Sequence, residues 1–162
     1  MFEGFYSMPR KTRGFEIVDE NFRKNIDTSI QLPVRGDSRS AGYDFYTPID
    51  IALQPGERKL IWTDVKAYML DEEVLLIYIR SSIGVKHGIV LSNGTGIIDA
   101  SYYNNEKNDG NIGISLYNTS DKIVNIAAGE RIAQGIFMQY LTADDDNVLN
   151  KTRAGGFGSS GK

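Results

Sequence analysis

Apolar residues in this chain fall into short runs, and residues that favour turns bound each run. Runs such as VLLIYI, NIGISLY and IAQGIFMQYL alternate with the segments VRGDS, QPGE, SNGTG, NDGN and AAGE. Short β-branched and aromatic runs between Gly, Pro, Asn and Asp are typical of strands, and few windows hold a helical period. The sequence therefore predicts an all-β domain, a barrel or a jelly-roll-like fold, with one short helical turn near residues 80–85.

The two ends of the chain differ in composition from this middle part. The first 25 or so residues are polar and mixed, which predicts an extension or an added edge strand. From Thr142 onward an acidic cluster precedes the segment RAGGFGSSGK, which favours a flexible arm. We therefore predict an amino-terminal extension over 1–25, a β domain over 26–141 and a carboxy-terminal arm over 142–162.

Composition limits the chemistry that the chain can perform. Its 162 residues fit one domain with a real core, and a net charge of -3 disfavours a general nucleic-acid binder. The absence of cysteine excludes disulfides and thiolate metal sites, and a single histidine, His87, excludes a multi-histidine metal centre. We interpret His87 as structural or surface-exposed. No signal-peptide core or membrane-length apolar run is present, so we expect a cytoplasmic protein.

Four segments could carry chemistry, although each also has a structural interpretation. Arg80 in IRSSIG, with the two hydroxyls that follow it, could wrap an oxyanion or lie in a solvated loop. Asp99 follows an Asn-Gly hairpin turn in SNGTGIIDASY, and it could orient a water as a general base or cap a turn. Asp44 in SAGYDFY could bind a divalent cation through water or close a turn. Gln134 in GERIAQ could be buried and hydrogen-bonded for structural reasons.

Taken in order, AGYDFY, RSSIG, GTGIIDASY, GERIAQ and RAGGFGSSG resemble the five motifs of the homotrimeric dUTPase family. The resemblance implies a jelly-roll-like β fold and a homotrimer whose active sites are shared between subunits. One subunit would supply the phosphate motifs, a second the nucleoside hairpin and a third the arm. It also implies Mg²⁺-dependent hydrolysis of dUTP to dUMP and pyrophosphate. That activity would limit uracil incorporation into DNA and supply dUMP for dTMP synthesis.

The resemblance further implies roles for individual residues. Asp99 matches the carboxylate that deprotonates the attacking water, and Tyr102 matches the ring that packs against the deoxyribose and leaves no room for a 2′-hydroxyl. Asp44 matches a carboxylate that contacts the waters of Mg²⁺, an ion held mainly by the triphosphate. The other expected substrate contacts are Asn93, Gly96, Ile97, Ile98 and Gly113 for uracil, Arg80, Ser81, Ser82 and Gln134 for the phosphates, and Arg153, Phe157, Gly158, Ser159 and Ser160 in the arm.

Within the arm, the resemblance implies that Phe157 stacks over the uracil and that Arg153 pairs with the γ-phosphate. The hydroxyls of Ser159 and Ser160 would lie at the phosphates. Closure of such an arm over the nucleotide would precede release of product.

One departure from the family spacing and two alternative functions bear on this interpretation. The segment YNNEKND, residues 103–109, stands where the family usually has about one residue, and it could decorate the pocket rim or bind a protein partner. A regulatory binding module is therefore one alternative. The other is dCTP deaminase, which shares the fold but needs a glutamate on the strand after the hairpin, where this chain has Ser115.

Overall fold

The computed structural model describes residues 10–146, and β-strands make up most of the regular structure in that range. The single α-helix among the described residues is α1 (Ser81–His87), and 3-10 turns occupy Glu20–Phe22 and Ala100–Tyr102. The strands are β1 (Gly14–Ile17), β2 (Val34–Arg35), β3 (Tyr43–Tyr46), β4 (Ile51–Leu53), β5 (Arg58–Trp62), β6 (Val65–Tyr68), β7 (Glu73–Ile79), β8 (Ile89–Leu91), β9 (Gly96–Asp99), β10 (Gly113–Asn118), β11 (Val124–Ile126) and β12 (Arg131–Gln139). The predicted all-β class and the short helical turn are confirmed.

The strands pair antiparallel in a five-stranded sheet of order β2-β3-β12-β7-β9 and a three-stranded sheet of order β5-β10-β8. Two further pairs, β1-β6 and β4-β11, complete the architecture. Within residues 10–146 the ladders form these separate sheets and no closed barrel. The jelly-roll-like form of the prediction therefore fits the fold better than the closed barrel.

Alternating burial along the strands builds the core between the sheets. On β7, Leu75 and Ile77 point inward while Leu76 between them is half-buried, and β10 repeats the pattern with Ile114 and Leu116. This period of two is what a strand with one covered face requires. Each such aliphatic side chain contributes about 1.5–3 kcal/mol when fully buried.

Part of the predicted amino-terminal extension joins the β domain. β1 pairs with β6 along its full length, and the Phe15 ring lies 5.6 Å from the Phe45 ring and 5.3 Å from the Phe137 ring. Val18 is only 2% exposed. β1 and Val18 therefore belong to the packed part of the chain, while the predicted division of the chain at residue 25 stays a prediction.

The Asn93-Gly94 turn is present, but the strands on its two sides pair with different sheets. Gly94 has a φ of +73°, and its N–H donates to the Leu91 carbonyl at 3.0 Å. β8 pairs with β10, whereas β9 pairs with β7. The turn therefore carries the chain from one sheet to the other, and it lies where the two sheets meet. The predicted hairpin is wrong, because the two flanking strands do not pair with each other.

β12 ends at Gln139, close to the predicted end of the domain at residue 141. Most of the predicted arm, from residue 147 onward, lies outside the described residues. No helix within residues 10–146 is long and apolar enough to cross a membrane.

Candidate active site

A polar cavity of about 320 Å³ is built around the buried carboxylate of Asp44. Asp44 Oδ1 lies 3.0 Å from Nε of Arg80, and Oδ2 accepts a hydrogen bond from Nη1 of Arg131 at 3.1 Å. The carboxylate thus holds two guanidinium groups at the cavity and leaves one excess positive charge there. Such paired arginines suit a phosphate. The lining residues are Gly36, Ser40, Ala41, Gly42, Asp44, Arg80, Ser81, Arg131, Gln134 and Ile136.

A β-bulge in β12 places both Arg131 and Gln134 at this cavity. Arg131 lies opposite Tyr46 and Gln134 opposite Asp44, and the register shifts between Arg131 and Ala133. Side chains three residues apart on a regular strand point to opposite faces, and one extra residue brings them to the same face. Arg131 belongs to the GERIAQ segment but was not predicted as a site residue. On a strand without a bulge, its side chain would point to the face opposite that of Gln134.

Helix α1 brings the serines of IRSSIG to the edge of the polar cavity. Arg80 is its N-cap residue with extended backbone angles, and Ile83, 5% exposed, fastens the helix to the core. Ser81 lines the cavity. Ser82 is exposed and lies outside the lining, so its predicted phosphate contact stays a prediction.

An apolar cavity of about 340 Å³ lies beside the turn that joins the two sheets. Four residues predicted to read uracil line it, whereas the fifth, Ile97, is 63% exposed. Ser115 donates a hydrogen bond to Ser92 across its wall at 2.8 Å. The lining residues are Leu60, Ile77, Leu91, Ser92, Asn93, Gly96, Ile98, Gly113, Ile114 and Ser115, and none of these ten is acidic.

Asp99 stands at the junction of β9 and the 3-10 turn Ala100–Tyr102. It pairs with Val74 of β7, and its backbone angles are extended. Its side chain makes no capping hydrogen bond to the turn, although Asp99 occupies the N-cap position. The Asp99 side chain therefore does not cap the 3-10 turn, in contrast to the structural interpretation of this residue.

Tyr102, three residues further on, is only 5% exposed and does not line the apolar cavity. Its hydroxyl donates to the Asn111 carbonyl at 2.7 Å and accepts a hydrogen bond from Nδ2 of Asn108 at 2.7 Å. The orientation of the ring is therefore set from its hydroxyl end. Its contact with a deoxyribose stays a prediction.

The insertion at residues 103–109 is packed against β1 and β6. Lys66 Nζ donates to Oδ1 of Asn104 at 2.7 Å and lies 2.8 Å from Oδ2 of Asp109, and both members of this ion pair are almost buried. The Tyr103 hydroxyl donates to Oε2 of Glu16 at 2.7 Å. Burial and this hydrogen bond raise the pKa of Tyr103 to about 12. The insertion is therefore part of the fold and not a loose rim.

A metal ion at this site would find oxygen donors but no protein cage. Within residues 10–146, no group of three or more His, Asp or Glu side chains is arranged to hold a metal ion. The polar cavity offers the Asp44 carboxylate, the Ser81 hydroxyl and the Gln134 amide oxygen. This set fits a hard divalent cation that a polyphosphate brings with it.

The predicted site residues that line a cavity divide into two groups, and the two cavities have no lining residue in common. Arg80, Ser81, Gln134 and Asp44 belong to the polar cavity, and four of the five residues predicted to read uracil belong to the apolar one. Arg153, Phe157, Gly158, Ser159 and Ser160 lie outside the described residues. One chain thus presents two separate partial sites.

The structure thus combines a jelly-roll-like β domain with an arginine-lined polar cavity and a separate apolar cavity. The sequence profile of the dUTPase family matches residues 28–161. The chain belongs to the dUTPase family.

Individual relatives agree with this assignment. The deoxyuridine 5′-triphosphate nucleotidohydrolase of Lactococcus lactis subsp. lactis (strain IL1403) is 46% identical over 152 residues, which cover 93% of this chain and 99% of that protein. The crystal structure of the Streptococcus mutans dUTPase is 41% identical with a TM-score of 0.69, covering 81% of this chain and 98% of that one. The structure of the Staphylococcus bacteriophage 80alpha dUTPase with dUPNHPP is 26% identical with a TM-score of 0.66, and the match covers 94% of this chain and 100% of that one.

Proposed function

We propose that this chain hydrolyses dUTP to dUMP and pyrophosphate, acting as a homotrimer with Mg²⁺. The observation that carries the proposal is the division of the site residues between two cavities, within a chain of the dUTPase family. A nucleotide bound across a subunit boundary would place its base in the apolar cavity of one chain and its phosphates in the polar cavity of another. The apolar cavity has no carboxylate, which speaks against the deamination of dCTP.

In the proposed reaction, Asp99 accepts a proton from a water that attacks the α-phosphorus. The bond from that phosphorus to the oxygen bridging to the β-phosphate breaks, and pyrophosphate leaves. Arg80 and Arg131, both held by Asp44, stabilise the phosphate charge through charge-assisted hydrogen bonds. Mg²⁺ bound by the triphosphate, with Asp44 at its water shell, would neutralise charge and orient the phosphates.

Recognition of the base and sugar would rest on the remaining residues. The backbone around Gly96, Ile98 and Gly113 would match the hydrogen-bonding edge of uracil, because a mismatched base leaves buried groups unpaired. The Tyr102 ring would exclude a 2′-hydroxyl by its shape. The physiological consequences that we propose are a low dUTP level, with little uracil entering DNA, and a supply of dUMP in the cytoplasm.

The test is pyrophosphate release from dUTP, dCTP, UTP and dTTP in the presence of Mg²⁺. We expect turnover of dUTP alone, and ammonia release from dCTP would overturn the proposal. Asp99→Asn should lower the rate by roughly 10²–10⁴-fold, as for other general bases, while a non-hydrolysable imido analogue of dUTP still binds. An equal loss of binding would make Asp99 a structural residue.

Assembly and the arm need a separate measurement. Light scattering of the eluted protein should give three times the mass of the chain. Truncation after Lys151 should leave this assembly intact and lower dUTP turnover steeply, because the arm would close a neighbouring subunit's site. A monomer, or a truncated chain with full turnover, would refute this part of the proposal.

A further inference from the structure

The hydroxyl of Tyr102 is held by Asn108, a residue of the insertion at residues 103–109. The hydroxyl has one proton to donate, which goes to the Asn111 carbonyl, and it accepts one from the side-chain amide of Asn108. Both bonds measure 2.7 Å, and Tyr102 is only 5% exposed. The ring is thus fixed at the end opposite its backbone.

The side chain of Asn108 is itself fixed by hydrogen bonds. Its Oδ1 accepts from Nδ2 of Asn105 at 2.7 Å and from the backbone N–H of Gly110 at 3.1 Å. An amide oxygen that receives two N–H groups leaves its NH₂ group to point the other way, toward the phenol. The same Asn105 Nδ2 also donates to the Tyr102 carbonyl at 2.8 Å. Asn105 and Asn108 therefore hold Tyr102 at both its backbone and its hydroxyl.

This polar cluster is anchored to the rest of the domain. Asp109, the last residue of the insertion, pairs with Lys66 on β6 and accepts the backbone N–H of Asp19 at 2.8 Å. On the other side, the Asn111 side chain exchanges two hydrogen bonds with Asp64, which is fully buried. The support behind the Tyr102 ring is consequently continuous from the insertion to β6.

From this arrangement we propose that Asn108 is a positioning residue for substrate selection, acting through Tyr102 to set the preference for dUTP over UTP. The inference rests on the proposed function, in which the Tyr102 ring packs against the deoxyribose. A steric filter for one hydroxyl group works only while its wall stays in place. Release of the phenol lets the ring move away from the sugar, and a ribose then fits.

The experiment compares kcat/KM for dUTP and for UTP in the full-length enzyme. In Asn108→Ala we expect the dUTP-to-UTP ratio to fall about 10-fold or more, within the 10–200-fold range typical of discriminating one small group by shape. Glu106→Ala, a change at an exposed position of the same insertion, is the matched control and should leave the ratio unchanged. Equal losses for both nucleotides, with the ratio kept, would mean a merely structural role and overturn the proposal.

Tyr102→Phe tests the same bond from the other side, because it deletes only the hydroxyl oxygen. It should lower the ratio by a similar factor. Adding Asn108→Ala to it should cause no further loss in the ratio, because the bond from Asn108 to the phenol, which the two changes have in common, is already absent. A folded Tyr102→Phe enzyme with wild-type discrimination would refute the inference even if Asn108→Ala does not fold. A wild-type enzyme that fails to hydrolyse dUTP would instead refute the proposed function itself.

Discussion

Replacing Lys66 by methionine is the sharpest test of how the insertion is fastened to the domain. Methionine keeps the apolar stem of lysine but removes the ammonium group that binds the insertion at two points, Asn104 Oδ1 at 2.7 Å and Asp109 Oδ2 at 2.8 Å. The Asp109 carboxylate would then keep one hydrogen bond, from the Asp19 backbone N–H. A buried charge would have lost its partner.

The expected loss in the free energy of unfolding follows from that burial. Removing one member of a buried ion pair costs about 3–5 kcal/mol, because the charge left behind is desolvated without compensation. The side chain of Asp109 is 12% exposed, so water reaches it in part and we expect a value near the lower end, about 3 kcal/mol. Asp109→Asn removes the carboxylate charge that Lys66→Met leaves without its partner. Asparagine is also compatible with the backbone here, because the φ of residue 109 is +59° and asparagine tolerates this left-handed region.

The assay is a double-mutant cycle by chemical denaturation at one fixed protein concentration, followed through the fluorescence of Trp62, the single tryptophan. The double variant Lys66→Met with Asp109→Asn should lose less free energy of unfolding than the sum of the losses of the two single variants. We expect the difference to be at least about 1.5 kcal/mol, as for residues that share a contact. Effects that add to within about 0.5 kcal/mol would refute the ion pair as the anchor of the insertion.

Three further predictions concern backbone strain and pH. Gly110→Ala should lower the free energy of unfolding by about 1–3 kcal/mol, because φ is +87° and a Cβ would lie 2.9 Å from a backbone oxygen. Gly129→Ala is the control, since φ is +85° there but a Cβ would meet no atom within 4 Å, and it should lower the stability less. Equal losses in chemical denaturation would contradict this prediction. A hydrogen bond from Arg13 lowers the pKa of Glu73 below its ordinary value of 4.5. The stability that this bond contributes is therefore complete above pH 4.5 and should be lost as the pH falls below that value. In an acid titration of Arg13→Ala, the loss of stability below pH 4.5 should be smaller. The pKa of Tyr103, raised to about 12, implies stability that is lost as the pH rises above 10, because only the unfolded state then releases the proton; thermal melts of Tyr103→Phe should show a smaller loss.

Local sequence signals were sufficient for the fold class and for the strands in the runs VLLIYI, NIGISLY and IAQGIFMQYL. The alternation in β7 and β10 and the turn residues between the runs act over a few residues, so they can be read without knowledge of the partner strands. Pairing is different, because it depends on contacts far apart in the sequence. Asn93 and Gly94 do form a turn, but the predicted hairpin is wrong, because β8 and β9 pair with different sheets and nothing near the turn shows this.

The same limit applies to the candidate site. Arg131 lies within a quoted motif, but its face is decided by a bulge against β3, a strand about 85 residues earlier that no local pattern connects to it. Lys66 is 43 residues from Asp109, so the anchoring of the insertion could not be predicted from YNNEKND alone. For Asp44, Arg80 and Gln134, in contrast, the family resemblance supplied a shared site that single motifs did not, and the structure places all three at one cavity.

Under the proposed function, the position of Tyr102 would connect the insertion to catalysis as well as to selectivity. Asp99 precedes the 3-10 turn Ala100–Tyr102, so the proposed base and the proposed sugar-contacting ring lie at the two ends of one short backbone segment. A hydrogen bond that fixes the ring also limits movement of the turn, and general-base catalysis is sensitive to misplacement of about 1 Å. Changes that displace the backbone of the insertion should therefore lower dUTP turnover and discrimination together. Tyr102→Phe, which leaves that backbone in place, should lower mainly discrimination, and this contrast separates the support of the ring from the support of the base.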